Sequence, residues 1–248
     1  MSGHSKWAQI KRQKGVADVK RGQAFTKLAK AISITVRQGG SGNPEQNFKL
    51  RLMIEKGRQI NMPKDTIERA IEKGLGKGEK GEGLQEAVYE GFGPGNVAVM
   101  VETATDNKQR TMSEVRQIFE RNGGNMGSQG TVSYQFEQKG LITVKKDGKT
   151  IDDIFLIAAD AGAQDVEEAG DEVFIYTNPD ELAKVRDTVA TQLSVTDAEL
   201  TRKPTVTQQI ESKETAEKVL SFMDKMEALD DVQKVYANFD IADNVMSV

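Results

Sequence analysis

Few residues in this chain could do covalent chemistry. It has 248 residues, no cysteine and one histidine, His4, which excludes disulfides and thiolate zinc sites and leaves few routes to general-base catalysis. Adjacent carboxylates such as Asp152–Asp153 or Glu167–Glu168 point apart on a helix or strand, so they predict neither paired acid catalysis nor a metal site. We therefore predict that the protein is not an enzyme and that it has no catalytic residue, no cofactor and no metal site.

The remaining candidates for chemistry are cations, and several surround the only tryptophan. Residues 1–16 form a polar segment that holds Lys6, Trp7, Lys11, Arg12 and Lys14. Lysine and arginine neutralise phosphates, and an indole stacks on unpaired bases. We predict a mobile basic arm that binds nucleic acid. In the alternative, Trp7 holds the arm against its own protein.

The segment after the arm, residues 17–38, has helical periodicity. With Lys20 at zero on a helical wheel, an apolar stripe falls between about 60° and 160°: Phe25, Leu28, Ile32, Thr35 and Val36. A basic stripe falls opposite, between about 260° and 360°: Lys20, Lys27, Lys30 and Arg37. We predict that the apolar stripe is buried. The basic stripe is predicted to bind nucleic acid together with Lys49, Arg51, Lys56 and Arg58 of the next helix, the alternative being a solvated face.

Charge and glycine content divide the chain near Lys80. Residues 1–80 hold 18 Lys and Arg against 7 Asp and Glu, and the remainder holds 16 against 31. A basic module of three short helices is predicted here, the second capped by Asn43 and the third running from Pro63 to Gly74. Residues 74–83 are glycine-rich and predict a flexible hinge, because they lack the strand and the ending of a phosphate-binding loop.

Beyond the hinge, strands and helices alternate. Strands are predicted at 87–92 and 97–104, then a helix at 107–122 capped by Asp106, and a strand at 131–136. Residues 141–202 give the order βαββαβ. Residues 213–239 add a helix and a strand that complete the earlier segment, so the middle unit is predicted to be an insertion.

A glycine-rich loop follows the predicted helix at 107–122. Residues 122–130 read NGGNMGSQG. Such backbone can approach RNA or another chain closely, and polar side chains there can reach base edges. The candidate RNA or partner loop comprises Asn125, Met126, Ser128 and Gln129; the alternative is an αβ turn that needs positive φ.

Long motifs in this chain closely resemble one known family. They are GHSKWAQIKRQK, RGQAFTKLAKAI, NMPKDTIERAIEKG, YEGFGPGNVAVMVETATDN and RNGGNMGSQGTVSYQFEQKG. They are similar to the YebC family, also called PmpR-type, over essentially the whole chain. Many members carry histidine where this chain has Arg12, which keeps a basic donor but removes a titrating imidazole.

The resemblance implies an α+β multidomain fold without catalytic activity or cofactor. The expected parts are a basic arm and three-helix bundle (1–80), a discontinuous α+β domain (84–136 with 205–248), and an inserted ferredoxin-like domain (137–204). Members are mostly described as DNA-binding transcriptional regulators. Others act at the ribosome, where they relieve stalling.

Residues and resemblance together predict a nucleic-acid-binding regulator of gene expression. The first candidate is a DNA-binding transcriptional regulator that uses the arm and bundle; the alternative is a ribosome-associated translation factor that binds ribosomal RNA. No run approaches the ~20 apolar residues of a membrane span, and the N-terminus lacks a secretory pattern. We expect a cytoplasmic protein without a membrane partner; its oligomeric state is left open, with a monomer favoured.

Overall fold

The computed structural model describes residues 19–77, 83–242 and 245. These residues form two compact units. The insert unit comprises residues 135–207 and 238–240, and the main unit comprises the other described residues. Outside the described part lie residues 78–82 of the hinge, the side chain of Lys20, and the arm residues Lys6, Trp7, Lys11, Arg12 and Lys14.

The described part is mixed α+β, which confirms the predicted class. Its α-helices are α1 (Val19–Gly39), α2 (Phe48–Gln59), α3 (Lys64–Gly74), α4 (Lys108–Arg121), α5 (Ile151–Ala161), α6 (Leu182–Val189) and α7 (Lys213–Glu227). Its strands are β1 (Gln85–Phe92), β2 (Ala98–Thr105), β3 (Asn125–Met126), β4 (Phe136–Lys145), β5 (Asp165–Ala169), β6 (Glu172–Thr177), β7 (Val195–Pro204), β8 (Gln208–Ile210), β9 (Val232–Ala237) and β10 (Phe239–Ile241). Among these helices, none is long and apolar enough to cross a membrane.

Helices α1, α2 and α3 pack together into a bundle within the main unit. The predicted apolar stripe of α1 is confirmed, because Leu28, Ile32 and Val36 are buried in one cluster with Leu50 of α2 and Ile67 of α3. Burying each such side chain contributes about 1.5–3 kcal/mol. The helices are short, so this shared core stabilises them more than their intrinsic propensity does.

The main unit also contains an antiparallel sheet in the order β3-β1-β2-β9. Its first hairpin pairs Gln85 with Thr105 and Phe92 with Ala98. Helices α4 and α7 pack against each other and against these strands. The ring centroids of Phe119 and Phe222 lie 5.2 Å apart between the two helices. The last strand, β9, is distant in sequence but completes the sheet beside β2.

The insert unit contains the second four-stranded sheet, in the order β5-β6-β4-β7 with antiparallel neighbours. Helices α5 and α6 contact each other and the strands of this sheet. The predicted βαββαβ element order is confirmed. Helix α5 begins with a capping box in which Thr150 and Asp153 bond reciprocally.

The start of α2 differs from the prediction. Asn47 caps the helix, because its Oδ1 accepts from the Leu50 backbone N–H at 3.1 Å. The Asn43 Oδ1 instead accepts from the Glu45 N–H at 2.9 Å within a turn. Asn47 also donates to the Thr35 carbonyl at 3.1 Å and so joins α2 to α1. The prediction failed because both asparagines fit a cap locally and only the contact with α1 distinguishes them.

Helix α4 is also capped by a different residue. Its cap is Asn107, whose Oδ1 accepts from the Arg110 N–H at 3.1 Å. Asp106, the predicted cap, accepts from the Arg110 side chain at 2.9 Å.

The predicted strand at 131–136 is wrong. Residues 133–135 form a 3₁₀ turn, and the chain becomes extended only at Phe136, where β4 begins. The loop before it contains a two-residue strand, since Asn125 and Met126 pair with Phe92 and Gly91 of β1. The alternation of apolar and polar residues could not show that backbone N–H groups between residues 130 and 133 bond to the side chain of Glu90.

We expect Asn47→Ala to lower the free energy of unfolding by about 1–2 kcal/mol, because it removes the cap and the bond to α1. Urea unfolding followed by circular dichroism measures the loss. Asn43→Ala is the matched control and should change stability by less than about 0.5 kcal/mol. Equal effects of the two substitutions would contradict the assignment of the cap.

Candidate nucleic-acid interface

The second helix carries exposed cations in two rows. Lys49, Arg51 and Arg58 are exposed and Lys56 is half-buried. At 100° per residue, Lys49 and Lys56 lie on one flank of the buried face and Arg51 and Arg58 on the other. The Arg51 guanidinium lies 5.5 Å from the centroid of the Phe48 ring, which orients it. The predicted residues of α2 are therefore not one continuous stripe.

Two of the predicted cations lie near a carboxylate at the start of β1. Arg37 and Lys49 both act on Glu86, which also accepts a hydrogen bond from Gln38. Burial and the neighbouring Glu102 raise the pKa of Glu86 above its ordinary value, although Lys49, Gln38 and Arg37 act in the opposite direction. The structure thus brings Arg37 of α1 and Lys49 of α2 together at this point.

Lys27 and Lys30 point into the main unit. The Lys27 Nζ donates to the carbonyl of Glu227 at the end of α7. The Lys30 Nζ donates to Asp231 Oδ1 at 2.6 Å and to the Asp230 carbonyl at 3.1 Å, and its side chain is only 19% exposed. Any phosphate that these lysines bind must compete with those bonds, so their contact with nucleic acid stays a prediction.

An apolar residue explains why this side of α1 is covered. Ile34 falls at about 320° on the wheel, in the middle of the basic stripe. It is buried with Leu84 and Ala104 in a small core of the main unit. Around Lys27, Lys30 and Ile34, α1 therefore has a second packing face and not an open surface. A single apolar residue among cations gave too weak a signal to predict a second packing face.

Asp231 is the centre of a buried network between α1, β2 and α4. Its carboxylate accepts from Lys30 and, through Oδ2, from Arg110 at 2.7 Å, Thr111 at 2.7 Å and Thr105 at 3.0 Å. The Asp231 side chain is 6% exposed. Burial acts to raise its pKa, but the hydrogen bonds from Arg110 and Lys30, and then from the two threonines, hold the pKa well below its usual range.

A second buried carboxylate fixes the glycine-rich loop. Glu90 of β1 is 3% exposed. It accepts backbone N–H groups from Gly130 at 3.0 Å and from Val132 and Ser133 at 2.9 Å each. Burial acts to raise the pKa of Glu90, but these bonds outweigh it and lower the pKa. The N–H groups that a strand would need are therefore taken by Glu90.

The loop needs glycine and still exposes polar side chains. Gly123 and Gly130 have φ of 76° and 92°, as the turn alternative requires. Asn125, Ser128 and Gln129 are exposed, whereas Met126 is half-buried beside β1. The candidate loop is thus a fixed turn that presents three hydrogen-bonding side chains. Their contact with RNA or a partner stays a prediction.

Sequence reasoning missed three exposed residues of the main unit. Tyr134 is 74% exposed and lies shortly after the loop; the strand that was predicted at this position gave no reason to single it out. Arg69 and Lys73 are exposed on one side of α3, where they line a groove shared with α1. A count of charges along α3 did not single out these two cations, because the helix also carries Asp65, Glu68 and Glu72. A helical wheel separates the cations from these acidic residues.

Metal ligation has no geometric support within the described residues. In that part of the chain no three His, Asp or Glu side chains come close enough together to hold an ion. The hydroxyls of two threonines near Asp106 belong to other contacts: Thr103 donates to the Ala87 carbonyl and Thr105 donates to Asp231.

We expect Asp231→Asn to lower the free energy of unfolding at neutral pH by about 3 kcal/mol, because it removes the buried carboxylate charge that pairs with the largely buried Lys30 and accepts from Arg110. Because the folded pKa is depressed, this stabilisation is present above the unfolded pKa of about 3.9 and is lost as the pH falls below it. Urea unfolding at several pH values measures the gap between the two proteins, which should narrow in acid. Asp230→Asn is the control, because Asp230 is exposed and contacts Lys30 only through its backbone carbonyl. If the stability difference between wild type and Asp231→Asn did not change with pH, the role assigned to the Asp231 charge would be wrong.

We expect Glu90→Gln to loosen the loop, because a neutral amide binds three N–H groups more weakly than a carboxylate. Amide hydrogen exchange at Gly130, Val132 and Ser133 should accelerate by roughly tenfold or more. Glu86→Gln on the same strand should leave these amides unchanged. Unaltered exchange in Glu90→Gln would show that the loop is held by other contacts.

Comparisons with known proteins agree over the whole chain. Residues 5–77 match the TACO1/YebC protein N-terminal domain, and residues 84–239 match the TACO1/YebC second and third domain. A "Probable transcriptional regulatory protein" of Sulfurihydrogenibium is 49% identical, covering 99% of this chain and 98% of the relative. One of the same description from Roseiflexus castenholzii is 50% identical, covering 97% and 96%.

A solved structure supports the same assignment. The crystal structure of a conserved hypothetical protein from Aquifex aeolicus superposes with a TM-score of 0.85 at 43% identity. It covers 93% of this chain and 95% of that one. The two domain matches together span most of the sequence, the relatives are about half identical, and the solved structure has the same fold. The chain therefore belongs to the TACO1/YebC family.

Proposed function

We propose that this protein is a nucleic-acid-binding regulator of gene expression, acting by binding rather than by catalysis. The observation that carries the proposal is the charge of the described bundle. Residues 19–77 hold 13 Lys and Arg against 5 Asp and Glu. Such a surplus binds polyanions, because phosphate neutralisation releases counterions. The exposed contacts are Arg37, Lys49, Arg51 and Arg58, with the arm as an extension and Lys20, Lys27, Lys30 and Lys56 as further candidates.

The first candidate is a DNA-binding transcriptional regulator. The names of the relatives favour it, since they are called probable transcriptional regulatory proteins. In this function the bundle contacts duplex phosphates. The three-domain division, with a ferredoxin-like domain of residues 137–204 inserted in a second α+β domain, is part of the proposal, as is a cytoplasmic location.

The second candidate is a ribosome-associated translation factor that binds ribosomal RNA. The preformed loop favours it, because glycine backbone and exposed Asn125, Ser128 and Gln129 suit an irregular RNA surface. The two rows of cations on α2 also favour it. Opposite flanks of one helix do not follow a single groove of a duplex.

Sedimentation separates the two candidates. Tagged protein from fresh lysate is run through a sucrose gradient with and without ribonuclease. Migration with ribosomal particles that ribonuclease abolishes supports the translation factor. Protein that stays at the top of the gradient, and shifts one promoter fragment over competitor DNA at physiological salt, supports the transcriptional regulator.

We expect the double substitution Arg51→Glu and Arg58→Glu to weaken nucleic-acid binding by roughly tenfold or more, because it replaces two phosphate contacts with repulsion. The slope of log affinity against log salt should fall by about 2. Fluorescence anisotropy with a labelled oligonucleotide measures both quantities.

The matched control for this prediction is Lys145→Glu with Lys149→Glu, which changes the net charge equally in the insert unit. It should lower affinity by less than about twofold, since exposed charges outside the proposed interface are screened by salt. Equal losses in the two double variants would mean that overall charge, and not the bundle, governs binding.

A further inference from the structure

A groove between α1 and α3 lies apart from the cation rows of α2. Its volume is about 370 Å³, within the range of small-ligand sites. Apolar side chains form its floor: Phe25 and Ala29 of α1, Ala70 of α3, and Leu84. The Ser33 hydroxyl donates to the Ala70 carbonyl at 2.8 Å and ties the two helices together there. The groove is therefore preformed.

Cations and hydroxyls form the rim of the groove. Arg69 and Lys73 of α3 are exposed there, and Lys30 lines the opposite wall. The threonines Thr26 and Thr66 add hydroxyl groups. Among the residues that the structure describes, no acidic side chain lines the groove, although α3 carries three of them elsewhere on its surface. The site combines an apolar surface with the positive charge of Arg69 and Lys73, since Lys30 is already paired with Asp231.

This combination selects the occupant by charge and shape. An occupant needs an apolar flat part for the floor and an anionic group for the rim. A nucleotide has both, because a base has an apolar π-face and its phosphate pairs with arginine and lysine. A base within a duplex cannot enter, since its faces are covered by stacked neighbours; only an unpaired base is available.

We propose that the groove holds one unpaired nucleotide of RNA or DNA, with its base on Phe25 and Ala29 and its phosphate on Arg69 and Lys73. The inference rests on the proposed nucleic-acid binding and adds a preference that the cations of α2 do not supply. Those cations attract any polyanion, whereas the groove discriminates unpaired from paired strands.

The test measures binding of the full chain to three labelled probes of equal length, roughly a dozen nucleotides each: oligo-rU, oligo-dT and a DNA duplex. Fluorescence anisotropy at physiological salt gives each affinity. The wild type should bind at least one single strand about fivefold or more tightly than the duplex, and the rU and dT arms show whether RNA or DNA is preferred.

Two variants locate the preference. Thr26→Trp fills the groove from an exposed position of α1 without changing charge. It should weaken single-strand binding by roughly tenfold and duplex binding by less than about twofold. Lys73→Glu should also weaken single-strand binding more than Lys64→Glu, a control on the same helix outside the groove with the same charge change. Thermal unfolding by circular dichroism verifies that each variant is folded.

The outcomes distinguish this inference from the proposed function. If Thr26→Trp changes the single-strand affinity by less than about twofold, the groove site is overturned while the proposed nucleic-acid binding stands. Equal wild-type affinity for single strands and duplex does the same. Absence of binding to every probe overturns both. An acidic amphipathic peptide of Glu and Leu is the last probe: if Thr26→Trp abolishes its binding but spares the oligonucleotides, the groove is a peptide site and the inference is wrong.

Discussion

The buried carboxylate of Asp231 is the interaction on which the arrangement of the main unit depends. It accepts from Lys30 of the bundle and from Arg110 beside the sheet, and two threonine hydroxyls complete its shell. A buried carboxylate is costly unless it is paired and hydrogen-bonded, and the largely buried Lys30 would be costly without this partner. The basic helix α1 is therefore tied to the sheet at one defined place.

This arrangement divides the cations of the bundle between two uses. Lys27 and Lys30 donate hydrogen bonds to carbonyls elsewhere in the main unit. They lie on the side of α1 where Ile34 is buried. Arg51, Arg58 and the groove cations Arg69 and Lys73 remain exposed. A helix that packs on both a bundle and a sheet can present its neighbours at fixed angles. Preorganised charge of this kind binds with a smaller loss of conformational entropy than charge on a free helix.

The glycine-rich loop also depends on a buried, hydrogen-bonded carboxylate. Glu90 is buried among three backbone N–H groups, and these bonds replace the ladder that a strand would form. Gly91 permits this close packing, since a Cβ there would lie 2.4 Å from the Asn125 carbonyl oxygen. Two carboxylates, Asp231 and Glu90, thus fix the two surfaces that the proposed function uses: one positions the bundle and the other shapes the loop.

The α+β class, the helices and most strands could be predicted from the sequence, because hydrophobic periodicity and the positions of glycines are local properties. The stripe Leu28, Ile32 and Val36 and the order βαββαβ were predictable for that reason. The cap at Asn47, the turn at 133–135 and the inward direction of Lys27 and Lys30 were not. Each depends on a partner distant in the chain: Thr35 for Asn47, Glu90 for the turn, and Glu227 and Asp231 for the lysines. Which polar groups are buried together depends on the folded chain, since a side chain forms hydrogen bonds with the groups that folding brings within reach.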